Sequence, residues 1–207
     1  LTRPDGASRG PVILVHGFAQ NRHSWRLSER SLAGRLAEQG FGAVGVNAVA
    51  KRAGCNKALI YRYFGGLDGV FRAFAEGEAF WPDLDELTAG TGSLDRPAAI
   101  WKRVMANYAS ALRRRPLTVE ILAWETVERN ELTAVLEEVR ERRGLELMAR
   151  FEDADPAVAA LLGAAIHYLL VRARMIRVYN GIDLRSDEGW ASLMAGMERL
   201  IDGMGGP

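Results

Sequence analysis

Apolar positions along this chain recur mostly at helical spacing. Trp101, Met105, Tyr108 and Leu112 step by four, three and four residues. Ile166, Leu169, Leu170, Ala173 and Ile176 keep one face, as do Trp190, Leu193, Met197 and Leu200. That period marks helices with one side turned to a core. Nearer the start, Ser24 is placed to cap a helix whose Trp25, Leu32 and Leu36 share a face and which Gly40 ends. Two short helices are predicted over 46–53 and 57–64, parted by a turn at Gly54-Cys55-Asn56, and Gly65-Gly66 breaks the chain again. Beyond it, Pro82, Gly90–Gly92, Pro97, Pro116, Asn130, Pro156 and Gly181 punctuate longer helices. The one strand-like run is Pro-Val-Ile-Leu-Val at 11–15, and no repeat or low-complexity tract is found. The pattern predicts an all-α chain, with an extension at 1–23, a small helical domain at 24–66 and a larger one at 67–207.

Composition narrows the classes. With 48% hydrophobic and 26% charged residues in 207, the chain is not mainly disordered. A single cysteine, Cys55, excludes an intramolecular disulfide and a cysteine-based zinc site, and the expectation is of no metal and no cofactor. No uninterrupted apolar run approaches the ~18 residues of a membrane span, and Val12–Val15 is too short for a signal-peptide core. The expectation is a soluble, cytoplasmic chain with no membrane partner. Charge adds more. Residues 1–75 carry eleven Lys+Arg against four Asp+Glu, and the remainder sixteen against twenty-two, a split of +7 and −6. A basic front and an acidic remainder suit a chain whose front alone meets a polyanion.

The segment VGVNAVAKRAGCNKALIYRYF at 44–64 carries the most chemistry. Val46, Val49, Ala50 and Ala53 form the packing side of the first helix. Gly54 suits the left-handed backbone of a sharp turn. Asn56 is placed to cap the second helix by accepting from its free N–H groups. That helix is expected to bury Leu59, Ile60 and Phe64 and to turn Lys57, Arg62 and one of Tyr61 and Tyr63 outward. A helix-turn-helix of this kind lays its second helix in the DNA major groove. Lys57 offers a point charge for phosphate, Arg62 reaches phosphate or pairs with guanine, and a tyrosine hydroxyl bonds phosphate. Cys55, in the turn, reads either as a small residue filling space or as a thiol activated by the helix start.

Gly40-Phe41, Ala50-Lys51-Arg52-Ala53-Gly54, Asn56-Lys57 and Tyr61-Arg62-Tyr63-Phe64 together resemble the DNA-binding region of TetR-family transcriptional regulators. The resemblance implies that Asn56, Lys57, Tyr61, Arg62 and Tyr63 form the DNA-binding set and that Phe64 is core. The chain departs from the family pattern at Gly66-Leu67, where Ser-Lys commonly supplies a phosphate contact. It departs again at Gly45, where a Ser or Thr commonly caps the first helix, and at Arg35, where an apolar residue is usual.

Less specifically, residues 67–207 resemble the regulatory body of the same family, through Leu-Ala-Trp-Glu at 122–125, the Arg/Glu-rich helix from Glu131 to Phe151, and Gly-Ile-Asp-Leu-Arg-Ser at 181–186. This implies a homodimer through helices at about 157–180 and 187–202, released from a double-stranded DNA operator by a small, mostly apolar effector. Trp101, Met105, Tyr108, Trp124, Tyr168 and Met175 are the candidate lining, with Glu125, His167 and Arg172 as polar anchors. Plain core packing is the alternative for the aromatics and methionines, a satisfied core or interface role for His167, and a surface charge or arginine pair for Glu125. Arg113-Arg114-Arg115 reads as a solvated helix end.

A second likeness points elsewhere. Pro11 to Phe18, running on to about Phe41, resembles the early strand and oxyanion turn of α/β-hydrolases. Such an esterase also needs a Gly-x-Ser-x-Gly elbow at the end of a strand; Gly6-Ala7-Ser8-Arg9-Gly10 matches those letters but lies ahead of the strand-like run at 11–15, not after a strand. A helical interaction module without DNA binding is the third reading, favoured by the missing lysine at 67.

Overall fold

The computed structural model describes residues 45–77, 80–127, 129–151 and 154–204. The expected helix at 24–40, the strand-like run at 11–15, the hydrolase-like segment and Arg35 lie outside these residues. Among the described residues the fold is all-α but for one small hairpin. The helices are α1 (Val46–Ala53), α2 (Lys57–Phe64), α3 (Leu67–Glu76), α4 (Leu84–Thr88), α5 (Pro97–Arg113), α6 (Pro116–Glu125), α7 (Glu131–Ala149), α8 (Pro156–Met175) and α9 (Asp187–Met204).

The sequence sets most of these boundaries locally. Pro97, Pro116 and Pro156 sit in the first turns of α5, α6 and α8, where a missing N–H costs nothing. Asp155 caps α8 by accepting from Ala157 N at 2.8 Å, and Asp83 caps α4 by accepting from Glu86 N at 2.7 Å. Ahead of α7, Asn130 and Thr133 satisfy each other's backbone, with Asn130 N donating to Thr133 Oγ1 at 2.9 Å and Thr133 N to Asn130 Oδ1 at 3.1 Å.

One continuous core runs through the body, from Phe71 and Ala75 of α3 through Phe80, Val104, Leu112, Ile121, Leu136, Val139 and Ile166 to Trp190 and Ile201 of α9. α5 lies at its centre, against α4, α6, α8 and α9, while α3 lies along α7.

Two expectations about the last helices need correction. The helix expected over 157–180 ends at Met175, and a two-stranded antiparallel hairpin follows, β1 (Val178–Tyr179) and β2 (Ile182–Asp183). Its turn is Asn180-Gly181, both left-handed at φ 48° and 81°, the backbone that an Asn-Gly pair favours. The second correction concerns hydropathy. α8 is long and apolar enough to cross a membrane by length and composition, with a mean hydropathy of 1.5. It nevertheless packs on α5 and α6, and its Arg174 is paired with Glu120 of α6.

Candidate nucleic-acid interface

α1 begins at Gly45, which offers no side-chain cap, as its residue type dictates. At its other end Gly54 is left-handed at φ 63°, and Cys55 N closes back on Ala50 O at 3.0 Å. The Cys55 side chain is half-buried in this turn, and burial raises its thiol pKa above the ordinary value. That is the reverse of the activation a helix start would bring, and it supports the space-filling reading. Asn56 then caps α2, its Oδ1 accepting from Ala58 N at 2.9 Å.

α2 hangs on one residue, Ile60, which is 2% exposed, with Phe64 half-buried beside it. Lys57, Ala58, Leu59, Tyr61, Arg62 and Tyr63 are all exposed. Both tyrosines therefore turn outward, Tyr61 at 55% and Tyr63 at 37%. Leu59, expected to be buried, is equally exposed at 37%. At 100° per residue it sits a little over a quarter-turn off Ile60, toward the solvent side of the helix. The exposed residues fall into three rows one turn apart, Lys57–Tyr61, Ala58–Arg62 and Leu59–Tyr63. The Arg62 guanidinium lies 5.8 Å from the centre of the Tyr63 ring, within cation–π range.

The joint beyond α2 is made of glycines. Gly65 is left-handed at φ 75°, Gly66 has φ 154°, and the Gly65 N–H donates to Tyr61 O at 3.0 Å. In α3, a Cβ on Gly69 would stand 1.7 Å from the carbonyl oxygen of Phe64. Only glycine lets the two helices approach so closely. Leu67, at the family's lysine position, is half-buried against the core.

From this joint α3 leads to the body, where arginines of α7 hold its far end. Arg143 donates to Glu76 O at 2.7 Å and to Trp81 O at 2.8 Å, and Arg72 of α3 pairs with Glu138 at 2.9 Å.

Trp81 marks the edge of a polar cluster inside the body. Its ring meets Tyr108 at 5.8 Å and His167 at 5.6 Å, and the Arg140 guanidinium lies 5.6 Å from its ring centre. The Tyr108 hydroxyl is hydrogen-bonded to His167 Nε2. Arg140 Nη1 stands 2.6 Å from Glu125 Oε2, and both side chains are largely buried. Burial, helped by the Arg140 charge, lowers the His167 pKa to about 4, so the ring is neutral at pH 7. Burial also raises the Tyr108 pKa, and it raises that of Glu125 despite the opposing pull of Arg140.

Of the expected lining residues, Met105 is buried in the core, while Trp101, Tyr108 and Trp124 are half-buried against it. Trp101 packs against Phe151 in a tilted contact, with ring centres 5.5 Å apart. Glu125 takes the arginine pair that was one of its alternatives. Arg172 is half-buried, and its Nε has no hydrogen-bond partner among the described residues. Two residues do not join the others. Met175 is 78% exposed, and Tyr168 lies on the same outer side of α8, edge-on to Tyr179 at 6.0 Å. The arginine triplet is not simply solvated either. Arg114 and Arg115 grip Glu86 at 2.8 and 2.6 Å, and Arg113 pairs with Asp187 at 2.6 Å. Sequence reasoning passed over Trp81, whose neighbour Pro82 reads as punctuation, and Arg140, which sits in a charge-rich helix.

Residues 35–74 match the family model described as bacterial regulatory proteins, tetR family. No curated protein and no solved structure matches the chain. None of these comparisons supports the hydrolase likeness of residues 11–41. The matched segment contains α1, the left-handed turn, the capped and outward-facing α2, and most of α3. Residues 35–74 therefore carry a tetR-family helix-turn-helix, the mark of a DNA-binding transcription regulator.

Proposed function

We propose that the chain is a cytoplasmic, ligand-responsive repressor that binds a palindromic operator as a homodimer and is released by a small, mostly apolar effector. The observation that carries this reading is α2. A helix anchored on Ile60 presents Lys57, Tyr61, Arg62 and Tyr63 on its solvent side, the residue types that bind phosphate and base edges. Asn56 holds the start of that helix in place.

The homodimer reading is supported by an exposed apolar stripe. Leu161 at 72%, Tyr168 and Met175 are exposed along α8, and Leu200 is exposed on α9. Pairing these helices across a two-fold axis would cover them as a four-helix bundle. The effector reading is supported by the interior set of Trp101, Tyr108, Trp124 and the Glu125–Arg140 pair beside Trp81. An effector that displaces Trp81 would act on Arg143, and through it on the far end of α3, the helix whose other end carries α2. It can shift the equilibrium only by its difference in affinity for the two states.

The test is selection of fragments from a random DNA library by the purified chain at two salt concentrations. Enrichment of a near-palindrome, with affinity falling steeply as salt rises, is the expected result. A folded dimer that enriches nothing would overturn the reading. It would favour the helical interaction module, for which Leu67 in place of lysine is the specific observation.

A further inference from the structure

Three rows of α2 face outward, and one of them is apolar in its first turn. Leu59 is a large aliphatic side chain, more than a third exposed, on the solvent side of a helix otherwise lined by Lys57, Tyr61 and Arg62. It belongs to the N-terminal turn, the part of a recognition helix that approaches base edges. Ala58 beside it is small and exposed, so nothing on the central row holds the first turn away from the groove floor. Tyr63, one turn along the Leu59 row, is engaged with the Arg62 guanidinium.

The major groove presents one apolar group, the 5-methyl of thymine, among donors and acceptors. We propose that Leu59 reads a thymine methyl in each operator half-site and is a specificity-determining residue of this chain. The partner is a 5-methylpyrimidine at one position, recognised by apolar contact and not by a hydrogen bond. Arg62 lies three residues further on, about 4.5 Å along the helix axis at about 1.5 Å per residue, so it reaches a neighbouring step of the same half-site.

This inference rests on the operator-binding reading, and its test separates the two. Each thymine of the selected operator is replaced in turn by deoxyuridine, which removes only the methyl. Affinities of wild type and Leu59→Ala are measured on every duplex. One position per half-site is expected to weaken wild-type binding about fourfold when its methyl is removed, the worth of one buried methyl group. Leu59→Ala is expected to bind the thymine and uracil forms of that position equally. Leu59 lies outside the buried core, so this variant should melt within a few degrees of wild type. Wild type that binds the operator but never distinguishes thymine from uracil overturns the proposal. So does a Leu59→Ala protein that keeps the discrimination. Wild type that binds no operator at all overturns the reading beneath it.

Discussion

Replacing Gly69 by alanine sets two effects of opposite sign against each other. Alanine is the better helix former, by about 1 kcal/mol in a helix interior. The new Cβ, however, would stand 1.7 Å from Phe64 O and 2.7 Å from Phe64 C. Both are backbone atoms at the end of the recognition helix and cannot swing aside as a side chain would. An ordinary contact needs about 3.4 Å, so α2 and α3 must separate by roughly 1.7 Å. Overpacking of that kind costs about 1–3 kcal/mol or more, which outweighs the propensity gain. Gly144 is the matched control. It lies within α7, is exposed, and has nothing within 4 Å of its Cβ position. Gly144→Ala should therefore raise the melting temperature by about 2–4 °C, and Gly69→Ala should lower it by a similar amount or more. Gly69→Ala should also weaken operator binding, because the displaced element is the proposed recognition helix. Thermal unfolding of the two variants side by side is the assay. A Gly69→Ala protein that melts higher than wild type, as Gly144→Ala should, would refute the close approach of the two helices.

Three further outcomes follow from the geometry. His167 is held neutral by burial, with a folded pKa of about 4 against an ordinary 6.5. Stability should therefore fall as pH is lowered between those values, by up to about 3 kcal/mol. The raised Glu125 carboxyl works in the opposite sense on the acid side, so the quantity to measure is the difference between wild type and His167→Gln. An unchanged acid limb in that variant would contradict the assignment. Arg143→Ala removes the donor to Glu76 O and Trp81 O and should cost about 2 kcal/mol by denaturant titration, with Arg143→Lys failing to restore it. Asn56→Ala should cost about 1 kcal/mol through loss of the α2 cap, and Asn56→Ser should recover most of it in the same titration.

The helix-turn-helix is legible in the sequence because its signals are local. Val46–Ala53 and Lys57–Phe64 fall where the pattern places them, since Gly54, Asn56 and Gly65 act on their own neighbours. Leu59 is misjudged because neighbouring apolar letters say nothing about which of them finds a partner. The hairpin at 178–183 escapes the pattern, although Asn180-Gly181 is a hairpin signal, because strands of two residues show no alternation. The body is harder to read for a physical reason. The carboxylates that pair with Arg113, Arg114 and Arg115 come from Glu86 and Asp187, far away along the chain. In the same way, the Arg140 that pairs with Glu125 looks like one more surface charge of a charge-rich helix. Periodicity finds a helix face, but it does not say what that face meets.

The most direct measurement is a salt titration of operator binding by wild type and Lys57→Ala. If α2 lies in the major groove with Lys57 on phosphate, log affinity should fall linearly with log salt. The variant should bind more weakly on every sequence and show a shallower slope, by about one for each phosphate it no longer neutralises. Equal affinity and equal slope for the two proteins would contradict the placement of this helix on DNA.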